Sequence, residues 1–269
     1  MKKILCFLIA VYLGVCALVR FYPLPFFYNP SDVSSNVENA KANGYNPEVV
    51  NYQSSDLTDL FAWYTKPQKD NHKAIIFMHG NSYNVEEFYY KLKTFADEGY
   101  ATFIPEYRGF GGLRGEVSQT NLANDAIAAV EKLNSMGYKN NEIYVYGMSL
   151  GTFMATNSVV NLQKNGNFAG LILEVPFDSL LNTAKAKVPF LPLDYIVKDK
   201  YETINIIENV KTKILIMLGT NDATIPYELG KELYKKAPEP KELIVYKGGK
   251  HSNLFNFRND KDILKWLEK

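Results

Sequence analysis

The chain has 269 residues, of which 46 % are hydrophobic and 22 % charged, a balance that suits a folded globular protein and excludes a disordered one. The formal net charge is +1, so charge gives no reason to expect nucleic acid, and no basic stripe is present. This length accommodates one compact domain with a short leader.

Residues 1–20 form the leader. Met1-Lys2-Lys3 opens with charge, residues 4–19 carry none, and Arg20 closes the run. Such a run matches a signal-peptide core and falls a little short of a full bilayer span. Val15-Cys16-Ala17 would serve as a cleavage site, whereas Phe21, Tyr22, Phe26, Phe27 and Tyr28 would sit at a membrane interface. A retained anchor is the expectation. Cleavage, giving a secreted protein, is the alternative. Valine before Cys16 argues against a lipoprotein signal, and the lack of a polar face argues against a buried helix. With Lys2 and Lys3 in the cytoplasm, the domain would lie across the membrane, in a bacterial periplasm or at a cell surface. Both cysteines, Cys6 and Cys16, belong to the leader. The remainder therefore has no disulfide, no thiolate metal site and no cysteine nucleophile.

Residues 21–45, rich in Pro, Asn and Ser, read as a juxtamembrane connector with little regular structure. Residues 46–269 read as the folded domain. Residues 49–52 and 60–64 are predicted as an antiparallel strand pair at a sheet edge. Residues 74–78 are wholly apolar, as in a strand covered on both faces. A helix over 85–98 stops at Gly99, and a second buried strand follows at 101–105. A helix over 121–136 stops at Gly137. Strands at 143–146, 171–173, 214–218 and 243–246 come next, with helices between and after them. Only residues 177–210, with Pro189 and Pro192, break the rhythm. The alternation predicts an α/β fold, a mostly parallel, doubly wound sheet with helices on both faces.

The strand at 143–146 runs straight into Gly147-Met148-Ser149-Leu150-Gly151, and a helical stretch follows. This is G-x-S-x-G in the strand–turn–helix setting of a nucleophile elbow. A serine at the tip of a strained turn exposes its hydroxyl, and the glycines let backbones pass closely. In open α/β sheets the site lies beyond the carboxyl ends of the strands. Of the 3 histidines, only His251 follows the elbow in a loop after a strand, so it is the candidate base for Ser149. The acid that orients it should lie between them. Asp222, just past the strand at 214–218, is the leading candidate, and Glu174, one strand earlier, its rival. Attack on a carbonyl creates an oxyanion that needs backbone N–H donors. Leu150, next after the serine, and Asn81, in the loop His79-Gly80-Asn81, are the candidates. Gly109-Phe110-Gly111-Gly112-Leu113-Arg114 lacks the third glycine of a dinucleotide loop, and no zinc pattern occurs. No cofactor and no metal are expected.

The order Ser149, Asp222, His251 resembles the α/β-hydrolase superfamily. More closely, the chain is similar to the membrane-anchored, short-capped serine hydrolases, depalmitoylase-like and serine aminopeptidase-like. The likeness is carried by the leader, His79-Gly80-Asn81, Tyr107-Arg108-Gly109-Phe110-Gly111, the elbow, Gly219-Thr220-Asn221-Asp222 with Ile225-Pro226, and Gly249-Lys250-His251. By that resemblance, residues 177–210 form a small cap, and Arg108 shapes a loop without taking part in chemistry. Glu106 departs from the aspartate expected before Tyr-Arg-Gly.

The implied function is hydrolysis of carboxylic esters or thioesters through an acyl-enzyme, on a small-molecule or lipid-like acyl substrate. The membrane is the expected partner of the leader. A peptidase or acyltransferase on the same residues, or a tethered binding protein without catalysis, are the alternatives. The apolar cap segment Val188-Pro189-Phe190-Leu191 predicts a preference for short to medium acyl chains.

Overall fold

The computed structural model describes residues 1–67, 69 and 71–269. The chain opens with helix α1 (Lys2–Phe21), a single turn α2 (Leu24–Phe27), a two-residue strand β1 (Asn29–Pro30) and helix α3 (Val37–Ala42). Strands β2 (Glu48–Gln53) and β3 (Asp59–Thr65) form a hairpin, followed by β4 (Ala74–Met78) and the two-residue β5 (Ser82–Tyr83). Then come α4 (Tyr89–Asp97), β6 (Ala101–Pro105), α5 (Gln119–Ser135), β7 (Ile143–Met148), α6 (Gly151–Leu162) and β8 (Gly170–Glu174). The last part holds α7 (Leu180–Lys187), α8 (Leu193–Ile196), β9 (Ile214–Gly219), α9 (Tyr227–Lys236), β10 (Lys241–Tyr246) and α10 (Asn259–Leu267).

Eight strands make one sheet in the order β10-β9-β8-β7-β4-β6-β3-β2. From β10 to β6 all neighbours are parallel, while β3 is antiparallel to both β6 and β2. This is the expected mostly parallel sheet with an antiparallel edge. Side chains of alternate strand residues point to opposite faces. Ala74, Ile76 and Met78 of β4 accordingly join one apolar cluster, together with α5, α6 and α9 residues such as Leu122, Met154 and Leu233. Ile75 and Phe77 join the other, with Leu92 of α4 and Ile263 of α10. Covering both faces is why β4, β6, β7, β8 and β9 carry no exposed position.

Two helix boundaries differ from expectation, each for a local reason. Helix α5 starts at Gln119, because the Ser118 hydroxyl accepts the Asn121 N–H and caps it there. The stretch expected as one helix over 85–98 is a 3-10 turn, Val85–Glu87, and then α4. The Val85 N–H is drawn to the Glu106 carboxylate at 3.0 Å, which holds that turn against the sheet.

The segment read as a connector of little regular structure holds α2, β1 and α3. Asn36 caps α3, and Ala40 and Tyr45 are buried in the second cluster. The Tyr45 hydroxyl pairs with Thr102 Oγ1 at 2.8 Å. A composition rich in Pro, Asn and Ser hides this, because a few scattered side chains such as Tyr28, Ala40 and Tyr45 do the anchoring. Helix α1 has 20 residues, about 30 Å of rise, long and apolar enough to cross a membrane by length and composition. Its residues 2–14 are exposed, whereas Cys16 and Val19 are buried against Leu181, Leu193 and Val197 of the segment expected as a cap.

Tyr45→Ala should cost about 3–5 kcal/mol of stability, read as a shift in urea midpoint. Burial pushes the Tyr45 phenol from 10.0 up to about 12. A raised acid keeps its contribution below the unfolded value and loses it as pH climbs to the folded one. Stability should therefore fall between pH 10 and 12, less steeply in Tyr45→Phe than in wild type.

Candidate active site

Strand β7 is buried along its whole length and delivers Ser149 beyond the carboxyl edge of the sheet. Ser149 has φ +54°, a left-handed conformation that costs a non-glycine residue about 1–3 kcal/mol. Its neighbours explain how that strain is held. A β-carbon at Gly147 would lie 2.4 Å from the Gly151 carbonyl oxygen, and one at Gly151 only 1.9 Å from that of Met78. No other residue type permits these crossings. The Ser149 N–H donates to the Glu174 carbonyl at 2.9 Å, and the Ser149 carbonyl accepts the Thr152 N–H at 3.0 Å.

His251 meets the elbow from the loop after the edge strand β10. Its Nε2 lies 2.9 Å from Ser149 Oγ, and its Nδ1 lies 2.8 Å from Asp222 Oδ2. A neutral imidazole with its proton on Nδ1 fits this line: it donates to the carboxylate and accepts the serine hydroxyl. Two loops are tied together to make it. The Asn221 N–H donates to the Gly249 carbonyl at 2.8 Å, and the Gly248 N–H to Thr220 Oγ1 at 2.8 Å. Asp222 uses both carboxylate oxygens, since Oδ1 accepts the N–H groups of Thr224 and Ile225 at 2.8 Å each. The turn role and the histidine contact therefore coexist in one residue.

The other histidines are placed elsewhere. His79 is fully buried, with Nε2 3.1 Å from Glu106 Oε1, Nδ1 2.9 Å from the Gly80 carbonyl, and its ring against Phe88 and Tyr107. His72 lies in the turn before β4. Glu174, the rival acid, is buried at the end of β8, paired in register with Met148. It pairs with Lys91 Nζ at 2.9 and 3.1 Å and accepts the Tyr146 hydroxyl. All three side chains are buried. Arg108 is bound by Asp125 at 2.7 Å and Asp56 at 2.6 Å, so it braces a loop away from the serine. The Arg108 guanidinium in turn holds the Asp56 carboxyl well below the usual carboxylate range.

The two expected N–H donors flank Ser149. Leu150 is next in the chain, and a β-carbon at Gly80, just before Asn81, would lie 3.9 Å from Ser149 Oγ. Among the described residues, the backbone N–H groups of Asn81 and Leu150 donate to no protein acceptor. Asn81 is held from outside the domain core. Its side-chain amide donates to the Phe27 carbonyl at 2.8 Å, and its own carbonyl accepts the Asn29 N–H at 2.8 Å. The short pairing of β1 with β5 continues this strap. No motif announces it, because the contact runs through backbone carbonyls. Beside Asn81 opens an apolar cavity of about 620 Å³. Among the described residues no group of three or more His, Cys, Asp or Glu is placed to hold a metal ion.

The Lys91–Glu174 pair supports the elbow from below through the Glu174 backbone. Lys91→Met should cost about 3–5 kcal/mol, because it leaves a buried carboxylate unpaired. Lys91→Met with Glu174→Leu should recover most of that loss in urea melts. A double variant as unstable as the single one would mean that the charge is not what Lys91 serves.

Comparison with known proteins sets this arrangement in a family. YfhR of Escherichia coli (strain K12), an uncharacterised protein, is 28 % identical over 251 residues, 90 % of this chain and 84 % of its own length. The lysophosphatidylserine lipase ABHD12 of Danio rerio is 30 % identical over 207 residues, 69 % of this chain. That match covers 52 % of the lipase, so the chain spans about half of that relative. Among solved structures, the Pyrococcus furiosus esterase Pf2001 has a TM-score of 0.72 at 20 % identity, over 90 % of this chain and 97 % of the other. The acylaminoacyl peptidase of Pyrococcus horikoshii has a TM-score of 0.67 at 17 % identity, over 87 % of this chain and 43 % of the other. Both structural likenesses bear on the fold, and they agree with the α/β-hydrolase architecture read from the sequence. The signature of the prolyl oligopeptidase family matches residues 86–269, which include Ser149, Asp222 and His251. An α/β-hydrolase sheet and a match over well over half of its length place this chain in the prolyl oligopeptidase family.

Proposed function

We propose that the chain is a serine hydrolase that cleaves carboxylic ester or thioester bonds through an acyl-enzyme. The observation that carries this reading is the unbroken hydrogen-bonded line from Asp222 through His251 to Ser149, at 2.8 and 2.9 Å. In this mechanism Ser149 Oγ attacks the acyl carbonyl as its proton passes to His251 Nε2. Asp222 stabilises the imidazolium that forms and keeps its orientation. The oxyanion is met by the backbone N–H groups of Leu150 and Asn81. Collapse breaks the bond to the leaving alcohol or thiol, which takes the proton from His251. Water then gives a proton to His251, attacks the acyl-enzyme, and Ser149 recovers its own proton as the acid departs.

The choice of an acyl substrate is supported by the apolar cavity beside Asn81 and by the presence of an esterase and a lipase among the similar proteins. The family name and the acylaminoacyl peptidase keep peptide hydrolysis as the second reading. A short fluorophosphonate and a panel of esters, thioesters and amides separate these from a silent binding protein. We further propose that α1 is retained and holds the domain at the outer face of a membrane, with Lys2 and Lys3 on the cytoplasmic side.

Ser149→Ala and His251→Ala should each lower kcat by about 10⁴-fold or more, and together scarcely further, because the residues act as a unit. Asp222→Asn should lower kcat by about 10⁴-fold with an unchanged urea midpoint. Wild-type turnover by Ser149→Ala ends the proposal. Loss of turnover in Glu174→Gln, at unchanged stability and with Asp222→Asn unaffected, moves the acid one strand earlier.

A further inference from the structure

The cavity beside Asn81 is walled on one side by the leader. Val15 and Val19 of α1 and Phe27 of α2 face it from one side, and Leu180, Val188 and Leu191 of the cap segment from the other. Asn81 and Thr224 also line it. They bracket the Ser149–His251–Asp222 line. Asn81 follows Gly80, which stands beside Ser149, and the Thr224 N–H donates to the Asp222 carboxylate. The cavity therefore opens beside two residues that neighbour this line, one next to Gly80 and one bonded to Asp222. Its lining is mostly apolar, and the ammonium of Lys187, a charged residue at its border, is bonded to the Ala223 carbonyl. About 620 Å³ lies within the ordinary range of ligand pockets, roughly 300–1,000 Å³.

The helix that forms this wall is the one whose residues 4–14 stand exposed and uncharged. Tyr12, in that exposed part, donates its hydroxyl to the Phe190 carbonyl of the cap at 3.2 Å. Phe190 and Tyr195 of the cap are themselves 71 % and 84 % exposed. Apolar surface of the leader and of the cap thus meet at one side of the cavity. Large aromatic and apolar side chains so placed favour a membrane interface.

We propose that α1 is a wall of the acyl-binding pocket as well as an anchor, with Val15 and Val19 lying along the acyl chain of an ester whose carbonyl is at Ser149. This rests on the reading of Ser149 as nucleophile. It also goes further: the length of acyl chain accepted is set jointly by the cap and the leader. Both the apolar lining and the shared outer face suit a chain drawn from a membrane or micelle. A protein that lost residues 1–17 would lose Val15 and with it part of the pocket.

The test uses the full-length chain in nanodiscs. The readout is the ratio of kcat/KM for dodecanoyl to acetyl p-nitrophenyl esters, and, in the Ser149→Ala background, the affinity for dodecanoate. Val15→Trp, which fills the pocket, should lower the ratio at least tenfold and weaken dodecanoate at least tenfold. Val15→Ala, which widens it, should move the optimum to longer chains. Leu8→Trp, on the exposed part of the same helix, should leave the ratio and the affinity unchanged. The proposal is overturned if Val15→Trp matches wild type, lowers all esters by one factor, or behaves as Leu8→Trp does. If Val15→Trp does not fold, Val15→Ala decides, and an unmoved optimum is the overturning result. A wild-type chain that cleaves no ester and resists a short fluorophosphonate refutes the nucleophile alone. Dodecanoate affinity in Ser149→Ala then still reports on the wall.

Discussion

The site depends on a place where backbones cross too closely for any side chain. Gly151 passes the Met78 carbonyl at a distance that would put a β-carbon 1.9 Å from its oxygen, and Gly147 stands in the same relation to Gly151. These contacts bring the start of α6 down onto β4 and β7 and force Ser149 into φ +54°. The strain is held in place by bonds at both ends of the residue, to Glu174 and Thr152. The hydroxyl is then left at the carboxyl edge of the sheet, with the N–H groups of the following helix turn behind it. His251 and Asp222 reach it because a second glycine crossing, Gly219 over Gly249, draws their two loops together.

Buried polar side chains stiffen the surroundings without touching the serine hydroxyl. Lys91, Glu174 and Tyr146 form one group beneath the elbow. Buried Arg108 and Asp125, joined from the surface by the exposed Asp56, form another, at the loop after β6. Glu106 makes a third, and here the departure from aspartate has a physical account. Its longer side chain reaches His79 through Oε1 and the Val85 N–H through Oε2. Gly111 accommodates it, since a β-carbon there would lie 2.3 Å from Oε2. His79 is thereby fixed as a structural residue between the loop that carries Asn81 and the loop that carries Arg108.

The N-terminal segment is a working part of the fold. Phe27 and Asn29 hold Asn81 by two hydrogen bonds, and Tyr28 pairs with Tyr201 and Asp199 of the segment 177–210. Residues of α1 and α2, Asn81 and residues 180–193 therefore line one apolar cavity together. Displacing residues 27–29 would remove these bonds from the loop expected to supply an N–H donor.

Much of this was legible from residue order because the relevant constraints are local. Wholly apolar pentapeptides such as 74–78 must be covered on both faces, which demands a parallel sheet with helices on either side. A serine between two glycines after such a strand has few ways to fold, and with 3 histidines to choose from, position alone isolated His251. What the order of residues left open was decided by contacts distant in the chain. Asp222 and Glu174 are both acids at strand ends. Only packing revealed that Lys91, 83 positions away, neutralises Glu174, while the glycine crossing carries Asp222 to His251. Likewise nothing in a uniformly apolar run distinguishes Val15 and Val19 from Leu8 or Leu13. Which of them face the cavity is set by where the cap meets the helix, and that meeting exists only once the sheet has brought residues 180–197 over the leader.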